Sequence, residues 1–403
     1  MKRTPAISFI LLTALLDIVG IGIVIPVLPL LVGTFTHEPG TQAYWYGALI
    51  VTFGFAQFLC APFLGALSDH FGRRPVLLLG ISGLGITYLV SGLTHSLWIL
   101  IGVRLLGGAL SANLAVAQAY VADITSPDKR TPALGKLGAM FGLGFVIGPM
   151  LGGILGANDL RLPFFVAATL CVVNALYGWF VLPESLPADR RVALTRGQLN
   201  PFSSLSGLIH LKGVGTLVFS IAAATLAQLI LQSTWVLYTS LKFHWGPKEN
   251  GFSLFTVGVV AVVVQGGLMR HLMKRLGERS LIVSGLASGA VAYTAYGLVP
   301  DAWMLYVVIA MNFLAFASGT ALQGVVSKAA DPHQQGRTMA TLTSLASVLG
   351  IVAPLLGTAI LGQVSGQASP DSIWLGTPFF LSAGLQLLAF GVAWQYFRRQ
   401  KPV

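Results

Sequence analysis

Apolar runs of about eighteen residues or more, each long enough to cross roughly 30 Å of hydrocarbon, recur along the whole chain. Unpaired backbone N–H and C=O groups cannot face lipid, so runs this long and unalternating fold as helices. The composition agrees. Hydrophobic residues make up 55% of the chain and charged residues 9%, where a soluble domain carries about a quarter charged. The sequence therefore specifies an all-α membrane protein. Charged, glycine and proline breaks divide its 403 residues into twelve transmembrane helices, at 6–32, 43–66, 76–94, 97–121, 133–156, 162–182, 213–238, 251–272, 281–299, 303–327, 338–362 and 376–397. Lys2 and Arg3 precede the first run, but it is too long for the apolar core of a cleaved signal and reads as an uncleaved first helix.

The net charge of +11 does not point to nucleic acid, because the basic residues fall in short clusters between apolar runs. With the N-terminus inside, twenty of the 24 Lys and Arg residues gather on the cytoplasmic side. Only Arg161, Lys242 and Lys248 lie outside, and Arg104 falls within a span. That asymmetry places both termini in the cytoplasm. Cys60 and Cys171 sit in apolar runs without metal or redox spacing and read as packing residues. No metal cluster, nucleophile–base set or phosphate-binding loop appears, so neither an enzyme nor a bound cofactor is expected.

The longest polar stretch, 183–212, is rich in Pro, Ser and Arg and reads as a cytoplasmic linker. It separates an N-terminal six-helix half, 1–182, from a C-terminal six-helix half, 213–403. A degraded internal repeat supports this division: GALSDHFGRR at 65–74 aligns with RHLMKRLGER at 270–279, with Gly72 and Gly277 in register. Repeated halves imply a substrate site near the midplane and alternating access.

One acid lies deep in a span. Asp17 is about eleven residues into the first helix, roughly 16 Å at 1.5 Å per residue. Intramembrane acids are expensive and mostly mark ion or substrate paths, so Asp17 is the candidate proton carrier. A proton and a cationic substrate can compete for its carboxylate; a permanently paired structural acid is the alternative. Arg104 is the one basic residue deep in a span. It either tunes Asp17 by proximity, shapes the backbone through carbonyl contacts, or forms a static ion pair. Polar and aromatic residues within spans supply candidates for substrate contact: Gln57, Asn113, Gln118, Gln228, Gln232, Trp235, Tyr238 and Gln323. With so few charges among them, they describe a largely apolar cavity suited to amphipathic organic molecules.

Four segments resemble one family. Gly65-Ala-Leu-Ser-Asp69-His-Phe-Gly72-Arg73-Arg74 resembles the loop signature of the major facilitator superfamily. Gly144-Phe-Val-Ile-Gly148-Pro149-Met-Leu-Gly152-Gly153 is similar to the fifth-span signature of its antiporters. Asp17-Ile-Val-Gly20-Ile-Gly22-Ile-Val-Ile-Pro26 and Arg104-Leu-Leu-Gly107-Gly108 resemble first- and fourth-span patterns of twelve-span drug–proton antiporters. Trp235-Val-Leu-Tyr238, Ala321-Leu-Gln-Gly324 and His333-Gln-Gln-Gly336 extend the likeness to the bacterial tetracycline–proton antiporters. The resemblance implies the major facilitator fold, with the helices of Asp17 and Arg104 lining the cavity. It also implies a gating role for Gly65, Asp69, Gly72, Arg73 and Arg74, with Asp69 near a helix N-terminus in one access state. Gly144, Gly148, Pro149, Gly152 and Gly153 would then pack a helix tightly, with a bend at the proline, and block leakage. The chain departs from those pumps at Thr87, Ala261 and Gly289, where they carry acidic or histidine residues.

The expected function is proton-coupled export of amphipathic drug-like compounds, a tetracycline among the candidates. It would act as a monomer in the bacterial cytoplasmic (inner) membrane, with the proton as coupling ion. Transport of a specific metabolite such as a sugar or siderophore, and a non-transporting membrane sensor, are the alternatives.

Overall fold

The structure is a computed structural model that describes residues 7–36, 38–194, 215–329, 335–366 and 369–399. The linker residues 195–212 and the motif residues His333 and Gln334 lie outside the described residues. Those described are helical, with no strand among them. The first eight helices are α1 (Ile7–Val24), α2 (Leu28–Gly33), α3 (Pro39–Phe71), α4 (Arg73–Leu93), α5 (Leu97–Leu110), α6 (Asn113–Ile124), α7 (Pro127–Gly156) and α8 (Leu162–Phe180). A 3-10 turn at Ala188–Arg190 follows. Then come α9 (Gly215–Phe243), α10 (Pro247–Val263), α11 (Met269–Leu298), α12 (Ala302–Met311), α13 (Phe313–Ala329), α14 (Gln335–Ser365) and α15 (Thr377–Arg399).

Among the described residues, ten helical stretches are long and apolar enough to cross a membrane, or eleven if the bent pair α12–α13 is one span. One of the ten runs from Pro247 to Leu298, 52 residues without a loop. A straight helix of that length would measure about 78 Å, more than twice the hydrocarbon thickness. It is not straight. A π-helical segment at Val264–Leu268 joins α10 to α11, and Gly277 interrupts α11 with φ 73° and ψ 164°. Gly72, its counterpart in the repeat, has φ 108°. These are the two positive-φ glycines among the described residues, so the repeat survives in the backbone where the sequence has degraded.

Three expected spans are broken. Pro26 has no N–H to donate and its ring excludes the carbonyl four residues back, and the chain turns at 25–27 between α1 and α2. The fourth span breaks at Ser111 and Ala112, between α5 and α6, and the tenth at Asn312, between α12 and α13. By contrast α7 runs unbroken through Pro132 and Pro149.

The chain divides into two compact units. The first comprises Met1–Phe35, Ala48–Pro201 and Gly246–Phe255; the second comprises Thr36–Gly47, Phe202–Trp245 and Thr256–Val403. In the first, α1 packs on α7 and α8, and α4 on α8 and α5, around Ile10, Ala14, Leu77, Val116 and Tyr120. In the second, α9 packs on α14 and α15, and α11 on α13 and α15, around Leu217, Leu281, Leu286, Ala321 and Val326.

Candidate functional site

Asp17 is buried on α1, 9% exposed. The side-chain Nδ2 of Asn113 donates a hydrogen bond of 2.9 Å to its Oδ1. Asn113 reaches the carboxylate because the fourth span breaks just before it, making it the first residue of α6. The break itself is tied down from α3: Gln57 Nε2 donates to the Ser111 carbonyl at 3.0 Å and to Ser111 Oγ at 3.3 Å. Gly80 on α4 leaves room for the amide, since a Cβ there would overlap Asn113 Oδ1 and lie 3.0 Å from the Leu110 carbonyl. A small cavity beside the pair is lined by Thr13, Leu77, Ile81, Leu114 and Phe141 as well as Asp17 and Asn113. One turn before Asp17, the Thr13 carbonyl accepts a 3.0 Å hydrogen bond from Asn174 on α8.

The opposite flank of α1 lies against the glycines of α7. Lipid gives helices no hydrophobic drive to associate, so small residues that allow backbone contact hold them instead. A Cβ at Gly144 would fall 2.6 Å from Ile18 Cγ2, and one at Gly148 would fall 2.7 Å from Gly22 Cα. At Gly152 it would overlap the Ile23 carbonyl. Gly153 faces elsewhere, onto Pro247 and Gly251 at the start of α10. Three of the four expected motif glycines thus abut the helix that carries Asp17, a relation that spacing along α7 alone does not reveal.

Arg104 lies on the fourth span, in α5. Its guanidinium carbon lies 5.9 Å from the centre of the Phe53 ring, while the carboxylate of Asp17 is met by Asn113. Tyr88 is buried on α4. Thr87 turns back to donate to the Leu84 carbonyl at 2.8 Å.

Of the residues expected to meet substrate, Asn113 is engaged with Asp17 and Gln57 with Ser111. Gln118, Gln228, Gln232 and Gln323 are exposed. Trp235 and Tyr238 are instead buried in an aromatic core. Tyr238 stacks edge-on to Phe379 with centroids 4.5 Å apart and donates to the Tyr296 carbonyl at 2.6 Å. Trp235 and Tyr238 are almost fully enclosed, at 3% and 0% exposed.

The motif loop forms a charged network. Arg73 Nη1 meets Asp69 Oδ1 at 2.5 Å and Ser68 Oγ at 2.7 Å, and its Nε meets Asp123 Oδ2 at 3.0 Å. At the N-terminus of α4 stands another acid, Glu184. Its two oxygens accept the backbone N–H groups of Arg73 and Arg74 at 2.8 and 3.2 Å, where the dipole of α4 favours negative charge. Gly72 admits this approach, since a side chain there would overlap the Glu184 carboxylate. Gly65 has open space around it. Arg74 donates to the Gly178 carbonyl at 3.3 Å, to that of Trp179, and lies over the Trp179 ring. Sequence reading missed Asp123 and Glu184, whose acids lie 50 and 111 positions beyond Arg73.

The second unit holds a neutral polar cluster. Gln386, Tyr293 and Asn312 are buried, and Ser288 Oγ meets Asn312 Oδ1 at 3.4 Å. A Cβ at Gly289 would lie 3.1 Å from Gln386 Nε2. The uncharged amide of Gln386 thus stands beside Gly289. A glutamine inside the last apolar run was the signal available for it.

Comparison with known proteins accounts for this arrangement. Residues 10–354 match the model of the Major Facilitator Superfamily. Tetracycline resistance protein, class C, of Escherichia coli is 36% identical over 96% of this chain and 96% of its own length. Multidrug resistance protein 2 of Bacillus subtilis (strain 168) is 31% identical over 84% of each. Among solved structures, the human organic anion transporter MFSD10 superposes with a TM-score of 0.66 at 26% identity, covering 96% of this chain and 98% of that one. The nucleoside transporter NupG shares the fold with a TM-score of 0.75 at 12% identity, covering 98% and 99%. The chain belongs to the major facilitator superfamily of membrane transport proteins.

Proposed function

We propose that this transporter is a proton-coupled antiporter that exports amphipathic drug-like compounds, with Asp17 carrying the proton and Asn113 accompanying it. Relatives named for tetracycline and multidrug resistance along nearly the whole chain support drug efflux, and a tetracycline is one candidate substrate. The observation that carries the mechanism is the partner of the buried carboxylate, a neutral amide. An amide has both donor and acceptor atoms. Its NH₂ serves the ionised carboxylate, and on rotation its oxygen serves the protonated acid, so neither state leaves a buried polar atom stranded. An arginine in the same place would favour the ionised form alone.

In this reading the chain spans the inner membrane twelve times, the run from Pro247 to Leu298 counting as two spans divided at Gly277. Both termini are cytoplasmic, and the protein works as a monomer by alternating access. The network of Asp69, Arg73, Asp123 and Glu184 holds one access state closed. The glycine seam of α7 keeps α1 seated while Asp17 exchanges its proton. The exposed Gln228 and Gln232, one helical turn apart on α9, contact substrate. One titrating acid gives one proton per cycle. Exchange for a monovalent cation is then electroneutral, and export of a neutral compound gains about 2.3 kcal/mol per 100 mV of potential.

The test is Asp17→Asn in inverted vesicles under an imposed pH gradient. The variant is expected to fold and reach the membrane at wild-type level but to show no gradient-driven drug accumulation. Accumulation equal to wild type would refute Asp17 as the carrier.

A further inference from the structure

A helix N-terminus follows each of the positive-φ glycines, Gly72 and Gly277. After Gly72, the first turn of α4 receives a carboxylate from the chain itself, Glu184. After Gly277, the chain re-enters the helix at Glu278, Arg279 and Ser280. Glu278 is paired with Lys328 at 2.8 Å. Arg279 and Ser280 open onto a groove between α11 and α15, which Arg398 closes from the end of α15. Among the described residues that line it, none is acidic.

The groove has two chemistries along its length. At the mouth stand two guanidinium groups, each stacked on an aromatic ring of α15. Arg398 lies 4.9 Å from the centre of Trp394 and Arg279 lies 6.0 Å from that of Phe397. A guanidinium group can bind a phosphate bidentately. The helix N-terminus after Gly277 adds partial positive charge on the same side. Beyond the mouth the lining is mostly apolar, with Val283, Ala287 and Phe390 along the two helices and Ser284 turned back to donate to the Leu281 carbonyl. Cations and aromatic rings at the ends of membrane helices mark the headgroup level, so the apolar stretch runs into the depth of the acyl chains.

We propose that this groove binds an anionic glycerophospholipid, its phosphate held by Arg279 and Arg398 and an acyl chain laid along Val283, Ala287 and Phe390. The charge complementarity selects an anion, and the apolar continuation selects a lipid over a free phosphate ion.

The test uses the full-length protein, purified in detergent, exposed to equal amounts of phosphatidylcholine, phosphatidylglycerol and cardiolipin, and read by native mass spectrometry. Wild type is expected to retain the anionic lipids over phosphatidylcholine. The double variant Arg279→Gln/Arg398→Gln is expected to lose that preference at least tenfold while remaining monodisperse. Lys274→Gln/Arg275→Gln removes equal charge from the same helix outside the groove, and is expected to behave as wild type. Three results would overturn the proposal: no preference in wild type, an equal loss in the control pair, or full displacement of the lipid by millimolar inorganic phosphate. The last would show a phosphate site without a lipid site. A misfolded double variant is replaced by Ala287→Trp, which fills the apolar part alone and is expected to reduce lipid retention with both arginines present.

Discussion

Replacing Gly148 with alanine tests whether the glycine seam positions the Asp17 helix. The new methyl carbon would fall 2.7 Å from Gly22 Cα and 3.0 Å from both the Gly22 carbonyl carbon and the Val19 oxygen. Carbon atoms in contact rest about 3.5–4.0 Å apart, so α1 must retreat by about 1 Å. Backbone atoms cannot rotate aside as a side chain can. Asp17 lies five residues from Gly22 on the same rigid helix, and its hydrogen bond to Asn113 is 2.9 Å long. A shift of that size toward or away from α6 takes the bond outside the roughly 2.7–3.2 Å range. Overpacking costs about 1–3 kcal/mol, whereas alanine for glycine in an unobstructed helix gains about 1 kcal/mol. Gly142 and Gly138 on the same helix have nothing near a Cβ, so Gly142→Ala and Gly138→Ala serve as controls of opposite sign. Purified variants are compared by thermal unfolding and by drug accumulation in proteoliposomes under a pH gradient. Gly148→Ala is expected to unfold at lower temperature than the controls and to transport at least tenfold more slowly. Wild-type transport and stability in Gly148→Ala would refute the claim that this contact fixes α1.

Two further outcomes follow from the same geometry. Asn113→Leu keeps a similar volume but strips the buried carboxylate of its amide, and gradient-driven accumulation in inverted vesicles is expected to fall to background. Glu184→Gln retains one acceptor oxygen but removes the charge at the start of α4, an effect of about 0.3–2 kcal/mol. Its unfolding temperature is expected to drop in low salt, with the deficit shrinking in high salt as screening weakens the wild-type interaction.

Much of this protein is local chemistry and can be read along the chain. Lipid forbids unsatisfied backbone groups, so run length and composition determine that the helices exist and where they lie within a few residues. The cost of an acid in hydrocarbon singled out Asp17 before its surroundings were known. Gly72 and Gly277 marked the repeat, and both proved to hold backbone conformations that glycine favours. Tertiary structure decided the rest, because partners are chosen by packing between segments distant in sequence. Asn113, a candidate for substrate, became the companion of Asp17 through a helix break that apolar periodicity does not register. Arg104 lies over Phe53, a ring 51 positions before it in the chain. Glu184, 111 positions beyond Arg73, came to stand at the N-terminus of α4. Trp235 and Tyr238 are buried against Tyr296 and Phe379. A side chain's type states what it can bond to; only the fold states which of the eligible partners stands within 3 Å.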